Sequence, residues 1–146
     1  MKRFLAWIGI KEKIHTEKSS PTFEERQIWW TSLGENVGHE ENGRGDDFIR
    51  PLVVVRKFNK ELLFGVPCSS VIKENKYYFK IAVQAGNFKT AAMLSQTRTI
   101  SSKRLLKIVD KMGEESFREL KKALNKALLE WLPLAFARVL PPNGDL

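Results

Sequence analysis

Ile49-Arg50-Pro51-Leu52-Val53-Val54-Val55-Arg56 is followed, across Phe58-Asn59-Lys60, by Glu61-Leu62-Leu63-Phe64-Gly65-Val66-Pro67. The first run is an almost unbroken row of branched aliphatic side chains, the composition of a strand buried on both faces. Pro51 stands near its start, where a missing N–H is tolerated. The Phe58-Asn59-Lys60 stretch reads as a turn, so the second run pairs back on the first as a hairpin. Outward from this hairpin, Gln27-Ile28-Trp29-Trp30-Thr31 is dense in β-formers and is ended by Ser32-Leu33-Gly34. Tyr77 to Val83 and Thr90 to Leu94 add two more strands. Several short strands at close spacing predict a small barrel or sandwich. Neighbours in a strand point to opposite faces, so one of Trp29 and Trp30 belongs to the core while the other can reach a surface.

Helices are predicted at both ends. Phe4, Trp7, Ile8 and Ile14 recur at near-helical spacing, which predicts a short amphipathic helix packed on the body, and Lys18-Ser19-Ser20-Pro21 reads as a linker. Phe117, Leu120, Leu124, Leu128 and Trp131 follow a three-and-four spacing from Gly113-Glu114-Glu115, and Pro133 closes the run. Pro141-Pro142-Asn143-Gly144 reads as a frayed tail. The chain therefore divides into an N-terminal helical extension and linker (1–23), a body (24–132) and a C-terminal tail (133–146). The stretch Glu35 to Asp47, with Gly34, Gly38, Gly43 and Gly45 in and beside it, is expected to have no strong local order. Loops of that length in a compact domain are usually functional or disordered.

At 146 residues the chain has room for one domain with a real core. Apolar residues at 42% and charged residues at 29% describe a soluble globular protein. The apolar run Phe4 to Ile10 follows Lys2 and Arg3 like an export signal, but Lys11-Glu12-Lys13 comes at once with no small-residue cleavage site. A cytoplasmic location without membrane contact is the expectation. Cys68 stands alone and the two histidines are far apart, so neither a disulfide nor a zinc site is expected, and no cofactor. The net charge of +8 is unevenly spread: residues 50–104 carry eleven basic and two acidic groups, whereas residues 24–49 carry two and seven. Such a basic middle suits a polyanion, and equally suits sheet edges kept soluble by lysine.

Four motifs in order resemble the MazF/PemK family. They are Ile28 to Gly34 running on through Val37-Gly38-His39-Glu40-Glu41-Asn42-Gly43, then Arg50 to Val55, then Val66-Pro67-Cys68-Ser69-Ser70, then Ser95 to Ile100 followed by Lys103-Arg104-Leu105. They span about residues 26–130, and the N-terminal helix lies outside them. The resemblance implies an α+β, mainly β fold, a small SH3-like β-barrel with added helices, assembled as a homodimer whose groove takes single-stranded RNA or mRNA. It also implies the toxin of a type II toxin-antitoxin system, checked by a cognate antitoxin and meeting DNA only through the antitoxin complex. The implied activity is a metal-independent, sequence-selective endoribonuclease that inhibits translation and growth. In it the 2′-hydroxyl of the RNA attacks the adjacent phosphate, leaving a 2′,3′-cyclic phosphate and a 5′-hydroxyl.

Attack at phosphorus builds charge on the equatorial oxygens, which calls for fixed donors more than for a protein nucleophile. Arg50, with its planar fork of donors at a strand start, suits that task and matches the family's catalytic arginine. Ser69 matches the family's hydroxyl residue, more often threonine, and either Ser69 or Ser70 can carry the role; a turn serine bonding its own backbone is the plainer reading. Glu41, Asn42, Ser70 and Gln96 match family positions that contact RNA, although strand-end packing would explain Gln96 almost as well. His39 reads as a solvated loop residue, Cys68 as a small buried hydrophobe, and Ser101, where the family often has aspartate, as a cap. Two alternatives of other classes share this barrel: a non-catalytic toxin that binds a protein such as gyrase, and an RNA-binding protein without cleavage.

Overall fold

The computed structural model describes residues 1–85 and 88–129. Helix α1 (Phe4–Thr16) precedes the strands β1 (Gln27–Ser32), β2 (Ile49–Lys57), β3 (Leu62–Ser69), β4 (Tyr78–Val83), β5 (Phe88–Met93), β6 (Arg98–Ser101) and β7 (Leu105–Lys111), and helix α2 (Glu114–Leu128) follows. The strands lie antiparallel in the order β4-β5-β3-β2-β1-β7, and β6 pairs with β3 as well. Besides β2, strand β3 serves two partners in succession: Leu62–Gly65 pair with β6, while Cys68 and Ser69 pair with β5. That change of partner curls the sheet into a mostly-β half-barrel flanked by a helix from each end of the chain.

The hairpin that anchors the sequence reading forms as predicted, with Leu52 opposite Pro67 and Val53 opposite Val66. Strand β2 is buried on both faces, and its side chains alternate between two cores. Val53 and Val55 join Ile28, Val66, Ile81, Leu94, Phe117 and Leu120, whereas Leu52 and Val54 join Phe23, Trp29, Leu33, Leu63, Ile100 and Leu105. Helix α2 closes the first core by burying Phe117, Leu120 and Leu124, each worth ~1.5–3 kcal/mol in transfer from water. Glu114 and Glu115 occupy its first turn, where carboxylates meet the positive end of the helix dipole. Trp131, the closing Pro133 and the predicted tail over 133–146 lie outside the described residues.

Three elements differ from the expectation. Strand β7 was not predicted: it pairs with β1 as the sheet's edge, only Leu105 in it is buried, and two register shifts interrupt the pairing, so no alternation marks it. Strand β5 starts at Phe88, and Leu94 belongs to a 3-10 turn (Leu94–Gln96) and not to the strand. In α1 the apolar residues do not form the packed face: Trp7 alone is buried, while Phe4, Leu5 and Ile8 are exposed. As expected, Ser101 caps the 3-10 turn Ser102–Arg104, its Oγ accepting the Lys103 N–H at 3.3 Å, and Trp29 is core while Trp30 reaches the surface.

Candidate active site

Arg50 is buried at the start of β2, where its backbone lies opposite Thr31 of β1. Its Nε donates to the Asn42 carbonyl at 2.7 Å, its Nη1 donates to the Cys68 carbonyl at 3.1 Å, and its Nη2 forms an ion pair with the Glu41 carboxylate. Two fixed carbonyls from two different segments therefore orient the guanidinium, and Glu41 occupies the edge they leave. Burial lowers the guanidinium's pKa from its ordinary value, opposed by Glu41 and reinforced by Arg44, yet an arginine stays cationic at any working pH. A buried charge of this kind is tolerated only when paired and hydrogen-bonded, as here.

The stretch between β1 and β2, expected to lack local order, is organised, because side chains close it at several points. The Asn36 N–H donates to Asn42 Oδ1 at 2.6 Å, and Asn36 Nδ2 donates to the Glu41 carbonyl at 2.7 Å. From across the sheet, Gln96 Oε1 accepts the Glu41 N–H at 2.9 Å while its Nε2 donates to the His39 carbonyl at 3.1 Å. The Gly43 N–H donates to the Gly34 carbonyl at 2.9 Å, and a Cβ on Gly43 would fall 1.6 Å from the Phe48 carbonyl oxygen, so only glycine fits. Phe48 is fully buried with φ +52°, a left-handed conformation that a bulky residue keeps only when its surroundings enforce it.

The structure brings Arg50, Glu41, Asn42 and Gln96 together, but in specific roles. Asn42 and Gln96 spend their amides on the loop, so they position Glu41 and Arg50. Ser69 is buried, and its Oγ accepts the Val71 N–H at 3.1 Å, which is the turn-serine arrangement. Ser70 is exposed and lines a cavity of about 360 Å³ with Trp30, Arg44, Arg50, Phe88 and Lys89. On the other side of the Glu41 loop, a second cavity of about 320 Å³ is lined by Glu40, Glu41, Ser95, Gln96, Thr97 and Arg98. His39 is exposed, and Cys68 is buried with its thiol pushed up to about 12 by desolvation, too high for a nucleophilic thiolate. No group of acidic, histidine and cysteine side chains suited to a metal occurs among the described residues.

The family described as the PemK-like, MazF-like toxin of type II toxin-antitoxin system matches residues 24–128 of the sequence. The chain belongs to this family. None of the curated proteins matches. Solved structures of MazF toxins share the fold: MazF from Deinococcus radiodurans superposes with a TM-score of 0.60 at 16% identity, over 76% of this chain and 98% of that one. An endoribonuclease from a mycobacterial species gives 0.54 at 10% identity, over 75% and 92%. A MazE-MazF complex from Deinococcus radiodurans gives 0.53 at 13% identity, over 76% and 97%. Within this PemK/MazF-type toxin, helix α1 lies outside the matched residues. Sequence reading missed Asn36, Arg44, Phe48 and Lys89. Only the density of glycines around Phe48 hinted that the backbone there takes unusual angles.

Proposed function

We propose that this toxin is a metal-independent endoribonuclease that cleaves single-stranded RNA, with Arg50 as its central catalytic residue. The observation that carries the reading is the fixed, buried guanidinium that lines a cationic, aromatic cavity and whose remaining edge is paired with Glu41, a carboxylate that lines the second cavity. A phosphodiester presents the same charge and spacing as that carboxylate, so it takes Glu41's place on Arg50. Trp30 and Phe88 offer ring faces to bases, and Arg44 and Lys89 offer charge to the flanking phosphates.

In the reaction the substrate 2′-oxygen attacks phosphorus and the bond to the 5′-oxygen breaks, so the RNA supplies its own nucleophile. Arg50 stabilises the charge that gathers on the phosphoryl oxygens, and preorganised donors of this kind are worth ~10²–10³ in rate. Glu41, displaced from Arg50 but still beside it, accepts the proton of the 2′-hydroxyl. The 5′-oxygen leaves with a proton from solvent or from a hydroxyl of the Ser69-Ser70 pair. Ser70 is the better placed of the two, because it opens to the cavity while Ser69 is held in its turn. By analogy with the MazE-MazF complex, a cognate antitoxin restrains the toxin, which works as a homodimer in the cytoplasm. Residues 24–132 form the toxin body, with 1–23 as an extension and 133–146 as a tail.

The test is to incubate purified protein with a long unstructured RNA in EDTA, beside Arg50→Ala, and map the new 5′ ends. Cuts bearing 5′-hydroxyl ends that vanish in the variant are the expected result. Intact RNA with a folded wild-type protein would refute the nuclease reading.

A further inference from the structure

Helix α1 is outside the family match, yet its contacts converge on the loop that holds the site. Trp7 packs edge-on against Phe48 with ring centroids 5.6 Å apart and planes at 61°. On its other side the Arg104 guanidinium lies 5.3 Å from the indole, while donating to the Ser32 and Leu33 carbonyls where β1 passes into the loop. Gly34, at φ +94°, leaves the room the indole needs: a Cβ there would meet the ring at 2.5 Å. Arg3 stacks over Phe48 at 4.6 Å, and its Nη2 donates to the Gly45 carbonyl at 2.6 Å. The Arg3 N–H donates to Glu35, and Lys2 pairs with the same carboxylate, which is nearly buried. The Arg3–Asp46 pair is exposed and adds little by itself.

These contacts touch both ends of the loop and its strained residue. Phe48 keeps φ +52° two residues before Arg50, and its carbonyl accepts the Leu33 and Gly34 N–H groups. Whatever fixes Phe48 therefore fixes the direction in which β2 delivers Arg50 and the distance at which Glu41 and Asn42 meet it. The exposed apolar residues of α1 are not what binds it; the Trp7 wedge, held by Phe48 and Arg104, the polar contacts of Lys2 and Arg3 just before the helix, and a hydrogen bond from Lys103 Nζ to the His15 carbonyl at 2.8 Å are.

We infer that α1 is a positioning and specificity element: it clamps the Glu35–Phe48 loop in the arrangement that brings Glu41 and Asn42 to Arg50 and so sets which RNA sequence the site accepts. This rests on the nuclease reading for its RNA consequence, but the clamp itself does not. Arg3 and Trp7 are positioning residues, remote from the reacting atoms.

The experiment compares full-length wild type with Trp7→Ala, Arg3→Ala and the conservative Arg3→Lys. Two readouts are taken: amide hydrogen exchange over residues 33–48, and the distribution of cleavage sites on a long RNA together with kcat and KM. Misplacement of a site by a remote change costs on the order of tenfold to a hundredfold in kcat/KM. Arg3→Ala is expected to fall at the lower end of that range, to speed exchange in the loop but not in α2, and to broaden the cleavage distribution, with Arg3→Lys partly restoring it. Should Trp7→Ala fail to fold, Arg3→Ala alone decides, since it removes no core volume. Unchanged loop exchange in a folded Arg3→Ala would overturn the clamp, and an unchanged cleavage distribution despite faster exchange would overturn its role in specificity. If wild type cuts no RNA, the nuclease reading fails while the exchange result still judges the clamp.

Discussion

Two cavities adjoin the Arg50–Glu41 pair and they are built from opposite chemistry. One carries Arg44, Lys89 and Arg50 around the apolar walls of Trp30, Pro51 and Phe88, while the other carries Glu40 and Glu41 with Ser95, Gln96, Thr97 and a single cation, Arg98. A basic, ring-lined groove meets phosphates and stacks bases without reading them. A polar groove rich in acceptors can distinguish bases by their exocyclic donors. The difference teaches that the basic excess of residues 50–104 is not one uniform patch: the two cavities beside the Arg50–Glu41 pair differ in charge.

The largest effect is expected where the two cavities meet. Arg50→Ala should lower kcat by ~10²–10³, the cost typical of deleting one preorganised donor, as measured by single-turnover cleavage. Arg50→Lys keeps the charge and loses the fork, so it should recover little; full recovery would reduce the site to simple charge attraction. Next come the hydroxyls on the basic side. Ser70→Ala should slow cleavage by roughly tenfold or more with Tm unchanged, as expected for one hydrogen bond to a charged group. Ser69→Ala should instead lose about 1 kcal/mol of stability with its turn bond, and the reverse pattern would move the catalytic hydroxyl to Ser69.

Smaller changes separate the two grooves. Lys89→Ala and Arg44→Ala should each raise KM and flatten the dependence of log(kcat/KM) on log salt by about 0.7, the contribution of one phosphate contact on a single strand. Glu40→Gln should leave that slope alone and redistribute the cleavage sites a few-fold, about 1 kcal/mol. If Glu40→Gln changes the slope and Lys89→Ala changes the sites, the division between grooves is wrong. The smallest effect concerns Cys68, which lines the basic cavity. Its thiol is raised from about 9 to about 12 by burial, so it should resist alkylation at neutral pH in the folded protein. The sign also fixes its linkage to stability: a raised acid stabilises the fold below the unfolded pKa, and that contribution is lost as pH climbs from about 9 towards 12.

Both grooves were legible in part: Arg50 and Ser70 of the basic one and Glu41 and Gln96 of the acidic one were read from the sequence, whereas Arg44 and Lys89 of the basic one were not, for physical reasons. Arg50-Pro51 begins a doubly buried strand, and an unbroken aliphatic run announces such a strand by composition alone. Likewise Phe117, Leu120 and Leu124 announce α2 by period, and all three are buried. Edge strand β7 gives no such signal, since its Leu106 and Ile108 face solvent beside Lys107 and Asp110. The order of the Glu35–Asp47 loop was invisible because it depends on Gln96 reaching in from the 3-10 turn after β5, on Arg50 from β2, and on Trp7 from α1. Local composition there, rich in glycine and acid, describes a disordered segment. Arg50 was found by type and motif; its ion pair with Glu41 could not be, because seven residues of irregular backbone, 42–48, lie between Glu41 and the start of β2.

The nucleophile is where the proposed chemistry is most exposed to contradiction. A short RNA containing a mapped cleavage site should be compared, in EDTA, with the same strand carrying a 2′-deoxy sugar only at the scissile nucleotide. The deoxy strand should bind with nearly unchanged affinity and resist cleavage entirely, while the all-ribose strand yields a 2′,3′-cyclic phosphate. Cleavage of the deoxy strand would mean that the attacking oxygen is not the substrate's own, and Arg50 and Glu41 would need another reading.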